Sequence, residues 1–289
     1  MTAREQHNGD MRRMGDLDGP VADGEGPGPD FLSLPPRTKK PRQRGVTHVI
    51  DRGMPPAHLR SLLDLAGEHI DFVKFGWGTA YVSRHIRAKV VACEQAGVRS
   101  CTGGTLLEIA AAQGKVAEFA RWAGSLGIDT VEVSEGTIDM PREVKQQLIA
   151  DLAADFHVVA EVGSKSATAP VDPEVWVGHM LGDLEAGAEF VVAEGRESGT
   201  VGLYGPGGEV REPLVEAILG AVPAGRVIFE APTRSQQSWF INRVGIEVNL
   251  GNISPDDILA VETLRRGLRS DTAHLSVPLL ASAPPGRRR

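Results

Sequence analysis

The stretch DFVKFGWGTA, residues 71–80, joins an apolar run to two glycines and carries one lysine, Lys74, inside the run. Phe72, Val73 and Phe75 are typical of a buried strand. A charge buried beside them without a partner costs several kcal/mol, so Lys74 needs carboxylates or an anionic ligand close by. The stretch therefore predicts a strand whose far end faces a polar site.

The same pattern recurs between about residues 45 and 275. Eight apolar runs, rich in β-branched residues, each end in polar or glycine residues, and an amphipathic segment follows. The runs begin 21 to 36 residues apart, the length of one strand plus one crossover helix. The eight runs are VTHVID (46–51), DFVKFG (71–76), VRSCTGG (98–104), TVEVSEG (130–136), HVVAEVG (157–163), FVVAEGR (190–196), RVIFEAP (226–232) and EVNLGN (247–252).

The segments between the runs have helical periodicity. In PPAHLRSLLDLAGEH (55–69), four apolar residues recur at helical spacing and share one face: Leu59, Leu62, Leu63 and Ala66. Three of the helical segments end in a glycine that suits a left-handed cap: Gly97, Gly127 and Gly187.

Eight alternating strand–helix units predict a single-domain α/β fold, a (β/α)8 TIM barrel over residues 43–275. The alternative is an open doubly wound sheet, but DRGMPP (51–56) after the first strand has no glycine-rich dinucleotide fingerprint. Residues 1–42 are rich in glycine, proline and charge, which predicts a disordered leader. Residues 276–289 are predicted to form a flexible tail.

Composition narrows the class of partner. The net charge of −7 indicates no basic surface for nucleic acid, and no apolar run has transmembrane length. The chain has two cysteines, too few for a disulfide framework, and no signal segment is recognisable. We therefore expect a cytoplasmic protein that acts on small molecules, away from membranes and nucleic acid.

Charged residues collect at the ends of the runs, which meet at the C-terminal mouth of such a barrel. Any single carboxylate there is equally well explained by a structural ion pair, but the whole set predicts a functional site. With no histidine or cysteine at a ligand spacing, the set suits magnesium rather than zinc. The carboxylates are Asp51, Glu132, Glu161, Glu194 and Glu230, and the cations are Lys74, Lys165 and Arg196.

Two glycine-rich stretches are candidate oxyanion sites. TGGT (102–105) leads directly into a predicted helix, whose free N–H groups attract anions. NLGNISPDD (249–257) follows the last strand, where this fold often binds phosphate. A plain tight turn is the alternative for either stretch.

Several motifs resemble those of the phosphosulfolactate synthase family, in the same order and over about residues 45–275. They are KFGWGT (74–79), GGTLLEIAAAQGK (103–115), VEVSEGTI (131–138), EVGSK (161–165), RESG (196–199), FEAP (229–232), QQ (236–237), VNLGNI (248–253) and LRRGLRSDT (264–272).

The resemblance implies a homo-oligomeric carbon–sulfur lyase that adds sulfite to phosphoenolpyruvate with Mg²⁺, giving (2R)-phospho-3-sulfolactate. Such a step starts coenzyme M biosynthesis in methanogens and leads to sulfolactate in some bacteria. Two alternatives stay open: a related enzyme that adds another nucleophile to phosphoenolpyruvate, and a non-catalytic protein like the plant heat-stress-associated relatives.

This chemistry suggests a role for each candidate. Lys165 is expected to protonate C2, while Lys74 and Arg196 hold sulfite or phosphate oxygens. The expected metal ligands are Glu132, Glu161 and Glu194, with Asp51 next in line. The expected substrate-binding residues are Asp51, Thr105, Ser134, Glu197, Asn249 and Asn252. One departure from the family pattern is Gly195, which stands where a small alanine is expected.

Overall fold

The computed structural model describes residues 31–163, 171–196 and 198–277. Every helix and strand given below lies in one compact unit that begins at Leu34.

Eight parallel strands form a closed barrel in chain order, because the last strand pairs with the first. Closure confirms the predicted (β/α)8 architecture and excludes the open sheet. The strands are β1 (Thr47–Asp51), β2 (Phe72–Phe75), β3 (Arg99–Thr102), β4 (Thr130–Val133), β5 (His157–Val162), β6 (Phe190–Ala193), β7 (Val227–Glu230) and β8 (Asn249–Ile253).

Helices surround the barrel and connect consecutive strands. They are α1 (Pro56–Ala66), α2 (Thr79–Val82), α3 (Ile86–Gln95), α4 (Gly104–Ala112), α5 (Val116–Leu126), α6 (Arg142–Leu152), α7 (Pro173–Glu185), α8 (Glu212–Ala221), α9 (Arg234–Val244) and α10 (Ile258–Arg265). None of the described helices is both long and apolar enough to cross a membrane.

The helix ends follow local sequence signals. At its start, α7 is capped by the Asp172 carboxylate, which accepts the N–H of Glu174 at 2.9 Å. The glycine caps predicted after α3, α5 and α7 are confirmed. Gly97, Gly127 and Gly187 have φ angles of 60°, 83° and 116°, which favour glycine over residues with a Cβ.

Alternate side chains of the strands fill the inside of the barrel in layers. Below the mouth, an apolar cluster fills much of the interior, and His48 is buried against one of its members, Phe72. The cluster consists of Val46, Phe72, Val159, Phe190, Val192 and Ile228. Lys74 lies two residues beyond Phe72 on β2 and therefore points to the same interior face, one layer nearer the mouth.

Part of the predicted leader packs on the barrel. The Arg37 guanidinium donates to the Gly45 carbonyl at 2.9 Å and pairs with Glu247 at 3.0 Å and with Glu262 at 3.2 Å. Arg42 pairs with Asp71 at 3.3 Å. The compact unit accordingly begins at Leu34, whereas the sequence placed the domain boundary at 43. Residues 1–30 and 278–289 lie outside the described part, so their predicted disorder stays a prediction.

One fully buried arginine donates hydrogen bonds to backbone carbonyl groups where β8 meets β1. Arg265, at the end of α10, donates to the carbonyl of Val248 at 2.7 Å and to that of Val46 at 3.2 Å, and also to the carbonyl of Ile246. Because Val46 and Val248 flank β1 and β8, this side chain satisfies carbonyl groups where the first and last strands meet.

Replacing Arg265 with methionine should destabilise the fold by about 3 kcal/mol, because each buried carbonyl left without a donor costs roughly 1–3 kcal/mol. A urea unfolding series measures the change. The matched control is Arg266→Met, since Arg266 is only half-buried and its side chain takes part in no described hydrogen bond. Equal unfolding midpoints for the two variants would contradict the role assigned to Arg265.

Candidate active site

A cavity of about 260 Å³ opens at the C-terminal ends of the strands. Its lining is mostly charged or polar, as the sequence predicts for this end of the barrel. The lining residues are Ile50, Lys74, Trp77, Gly104, Thr105, Glu132, Thr137, Glu161, Glu194, Arg196, Glu230 and Asn252.

Lys74 lies at the centre of the cavity floor, 4% exposed. Its Nζ atom donates to Glu132 Oε2 at 3.0 Å and to Glu230 Oε1 at 3.3 Å. Burial on its own would lower the pKa of Lys74, but Glu132, Glu230 and Glu161 together outweigh burial and raise that pKa well above its ordinary value. The neighbouring carboxylates therefore favour the charged ammonium form of Lys74.

The two carboxylates that flank Lys74 are also held by backbone groups. Glu132 Oε1 accepts the N–H of Gly104 at 2.9 Å, and Glu230 Oε2 accepts the N–H of Gly195 at 2.9 Å. Burial raises the pKa of both carboxyl groups; Lys74 opposes that rise, and the neighbouring Glu161 adds to it. Burial first, and the neighbouring Glu161 second, therefore favour the protonated form of each carboxyl group.

Three carboxylates meet at one side of the cavity. Glu161, Glu194 and Glu230 each bring one oxygen atom to within 4.8 Å of the others, a spacing that suits a shared metal ion. Among the described residues, Asn252 Oδ1 is buried with no hydrogen-bond donor, and Asn252 lines the same cavity. An oxygen-only set of this kind fits a hard cation such as Mg²⁺.

This set differs in one member from the predicted ligands Glu132, Glu161 and Glu194. Hydrogen bonds do not separate Glu132 from Glu230, because each carboxylate accepts one bond from Lys74 and one from a backbone N–H. Among the described residues, the three carboxylates whose oxygen atoms lie within 4.8 Å of one another include Glu230 and not Glu132. Glu230 takes the third position. The sequence marks Glu230 as a mouth carboxylate, but only the closed barrel brings β7 beside the ends of β5 and β6.

Backbone strain is concentrated at the cavity. Among the described residues, three that are not glycine have a left-handed backbone: Trp77 (φ 53°), Arg196 (φ 52°) and Asn252 (φ 52°). All three line the cavity. Such residues cost on the order of 1 kcal/mol each, and they concentrate where function requires a particular side-chain direction.

Asn252 owes its direction to a bulge in β8. Thr47 pairs with Leu250 and Val49 with Ile253, so β8 contains one residue more than β1 over this interval. Gly251 already faces the interior, where a Cβ atom would lie 3.5 Å from His48 Nδ1. Strict alternation would turn Asn252 toward the helices, and the bulge returns it to the cavity.

Three predicted substrate-binding residues do not line the cavity. Asp51 follows the inward-facing Ile50 and points outward, where it accepts a 2.6 Å hydrogen bond from Lys89. Ser134 donates its hydroxyl to Glu108 on α4. Asn249 begins β8 at the bottom of the barrel, where its side chain bonds to Val46 and to the carbonyls of Gly225 and Val227. Strand parity explains Asp51, and position along the strand explains Asn249. Ser134 has the parity of the inward-facing Glu132 but lies beyond the end of β4, where its hydroxyl bonds to Glu108.

The remaining predictions divide into two groups. Lys74, Thr105, Arg196 and Asn252 line the cavity, as do the three glutamates that were predicted as metal ligands. Lys165 and Glu197 lie outside the described residues, and their predicted roles stay predictions.

The two glycine-rich stretches make contacts within the protein, and their predicted binding of an oxyanion stays a prediction. The N–H of Gly104 is taken by Glu132, so this helix start already holds an oxyanion of the protein itself. Gly103 allows close packing of two loops, because a Cβ atom there would lie 2.4 Å from the Trp77 backbone nitrogen. After β8, Asp256 and Asp257 occupy the next helical turn and disfavour a phosphate there.

The loop after β6 depends on Gly195. A Cβ atom at this position would lie 2.6 Å from Tyr204 Cε2 and 3.0 Å from the Glu230 carbonyl oxygen. Tyr204 is fully buried, and its hydroxyl donates to that same carbonyl. The glycine that departs from the expected alanine therefore makes room for a tyrosine that fixes the backbone of Glu230.

Comparisons with known proteins identify the family of this chain. The family model for (2R)-phospho-3-sulfolactate synthase (ComA) matches residues 35–271. The phosphosulfolactate synthase of Methanothermobacter thermautotrophicus is 44% identical over 250 residues, covering 84% of this chain and 96% of that protein. The Arabidopsis thaliana protein HEAT-STRESS-ASSOCIATED 32 is 22% identical, covering 79% of this chain and 88% of its own length.

A solved structure supports the fold alone. The 3-hexulose-6-phosphate synthase of Salmonella typhimurium aligns with a TM-score of 0.50 at 13% identity, covering 82% of this chain and all of that chain. The match to the family model over most of the sequence, together with 44% identity to one of its enzymes, establishes that this chain belongs to the (2R)-phospho-3-sulfolactate synthase family.

Proposed function

We propose that the protein adds sulfite to phosphoenolpyruvate, with Mg²⁺, to give (2R)-phospho-3-sulfolactate. The observation that carries the proposal is the cavity floor, where Lys74 lies between Glu132 and Glu230 beside a three-carboxylate cluster. Members of this family make (2R)-phospho-3-sulfolactate. Removing the C2 proton of that product and breaking its C3–S bond leaves phosphoenolpyruvate and sulfite, which are its simplest precursors.

The reaction needs charge stabilisation in a defined place. The lone pair of sulfite sulfur forms a bond to C3 of phosphoenolpyruvate, and the C2–C3 π electrons move toward the carboxylate. A proton added to C2 then completes the product. Negative charge therefore grows on the substrate carboxylate, and fixed cations beside it lower the barrier.

Lys74 supplies one such fixed cation. Its raised pKa keeps the ammonium group charged, and two carboxylates hold it in place before any substrate binds. The Arg196 guanidinium lines the same cavity and can bind two oxygens of a phosphate or carboxylate group at once. Protonation of C2 is assigned to Lys165, as the family resemblance implies.

Glu161, Glu194 and Glu230 would hold the Mg²⁺, and Asn252 Oδ1 is a further oxygen available to it or to its water. When bound, the ion supplies Lewis-acid stabilisation for an anionic carboxylate and phosphate. Its charge also offsets the four carboxylates that line the cavity, which would otherwise repel a highly anionic substrate.

The direct test is to incubate the purified protein with phosphoenolpyruvate, Mg²⁺ and sulfite. The expected result is an adduct with the mass of phosphosulfolactate, absent when any one component is left out. If phosphoenolpyruvate binds but no adduct forms, sulfite is the wrong nucleophile, and the proposal as stated fails.

Lys74→Met should lower kcat by about 10²-fold or more, the loss typical when one preorganised electrostatic group is removed. Lys89→Met is the matched control, because Lys89 is also buried and paired with a carboxylate, Asp51, but lies outside the cavity. Both variants should lose stability, and only the first should lose turnover. Equal kcat losses in folded protein would show that Lys74 acts through stability alone.

Glu230→Gln should weaken Mg²⁺ binding by at least about tenfold, because it removes one charged ligand from the three-carboxylate cluster. Glu132→Gln should have a smaller effect, since Glu132 is not among the three carboxylates whose oxygen atoms lie within 4.8 Å of one another. Calorimetric titration with Mg²⁺ measures both affinities. A larger loss for Glu132→Gln would instead favour the ligand set expected from the sequence.

A further inference from the structure

We propose that Thr105 and Thr137 form a paired-hydroxyl subsite for the incoming sulfite, and that Glu108 is the positioning residue that builds it. This inference rests on the proposed function and names where the second substrate binds. Thr137 and Glu108 were not among the residues assigned a role from the sequence.

Glu108 organises the loop that follows β4. It lies on α4, 1% exposed, and accepts hydrogen bonds from the backbone N–H of Thr137 at 2.6 Å and of Ile138 at 2.8 Å. Its other oxygen accepts the hydroxyl of Ser134 at the end of β4. One buried carboxylate thus binds the loop at its first residue and again at Thr137 and Ile138, which fixes the path of the residues between these points.

The same helix carries the other member of the pair. Thr105 lies three residues before Glu108 on α4, so the two side chains share one face of the helix. The hydroxyl oxygens of Thr105 and Thr137 are 3.5 Å apart, and both residues line the cavity. Glu108 therefore sets the distance between two hydroxyl groups that reach the cavity from different elements.

The position of this pair suits an anion that is not bound to the metal. Thr105 and Thr137 follow β3 and β4, whereas the three-carboxylate cluster comes from β5, β6 and β7. Two carboxylates lie on the side of the threonines. Glu108 accepts the backbone N–H groups of Thr137 and Ile138, and Glu132 is paired with Lys74 at 3.0 Å. A small oxyanion here would meet hydroxyl donors and a neighbouring ammonium group and would avoid the excess negative charge opposite.

Neutral hydroxyl donors also fit the chemistry of sulfite. They donate hydrogen bonds to its oxygens without neutralising the charge on sulfur, whose lone pair must remain nucleophilic. Phosphoenolpyruvate, with more charge, would be held by Arg196 and the metal cluster. Thr105 and Thr137 are therefore expected to affect the binding of sulfite and not the binding of phosphoenolpyruvate.

The test is steady-state kinetics with both substrates varied. Thr137→Val and Thr105→Val remove one hydroxyl each and keep the side-chain shape. Each should raise KM for sulfite by about ten- to a hundredfold, the loss expected for one hydrogen bond to a charged group, with KM for phosphoenolpyruvate within about twofold of wild type. Glu108→Ala should reproduce the effect of Thr137→Val.

Two comparisons separate positioning from stability. Glu108→Gln can keep the three hydrogen bonds and should restore a near-wild-type KM for sulfite, and Glu108→Ala combined with Thr137→Val should be no worse than the stronger single variant. Asp71→Ala is the control: Asp71 is a buried carboxylate at the bottom of the barrel that accepts the N–H of Thr47 at 2.9 Å. It should lower thermal stability and leave both KM values unchanged.

The outcomes are distinguishable. If wild-type protein forms no adduct with sulfite, the proposed function fails and the subsite fails with it. If wild type is active but Thr137→Val raises KM for phosphoenolpyruvate, or leaves both KM values unchanged, the subsite alone is wrong. If the Glu108→Ala and Thr137→Val effects are additive, Glu108 is not the positioning residue.

Discussion

The buried ion triad of Lys74, Glu132 and Glu230 is the constraint on which the mouth of the barrel depends. An ammonium group inside a β-barrel is tolerated only when carboxylates surround it, because leaving one of these charges unpaired costs about 3–5 kcal/mol. Here the carboxylates come from β4 and β7, on either side of β2 in the closed barrel. Those same carboxylates accept N–H groups from Gly104 and Gly195, so the triad also fixes the loops after β3 and β6.

The architecture was predictable because its signal is repeated. Eight runs with the same design give eight chances to detect the strand–helix unit, and an error in one run would not change the fold. The polar mouth was predictable for a similar reason, since the carboxylates concentrate at one end of the runs. Lys74 in particular is conspicuous in sequence because its charge interrupts an apolar strand.

Individual side-chain directions were harder to predict. Asp51 and Ile50 are neighbours, and only the register of the barrel decides which of them faces the cavity. Asn252 depends on a bulge that no local pattern announces, and Asn249 depends on knowing at which end of β8 it lies. Arg37 pairs with Glu247 and Glu262, which lie more than 200 positions further along the chain. The composition of the leader gives no sign of these ion pairs.

The contact between Gly195 and Tyr204 limits how this sequence can diverge. An alanine at 195 would collide with the tyrosine ring, and loss of the tyrosine would free the Glu230 carbonyl. The two positions are therefore expected to change together among relatives, with a smaller residue at 204 wherever 195 gains a side chain. If positions 195 and 204 change one at a time, the intermediate sequence has a disturbed Glu230. A change at both positions should therefore be rare, and relatives that share it should share ancestry.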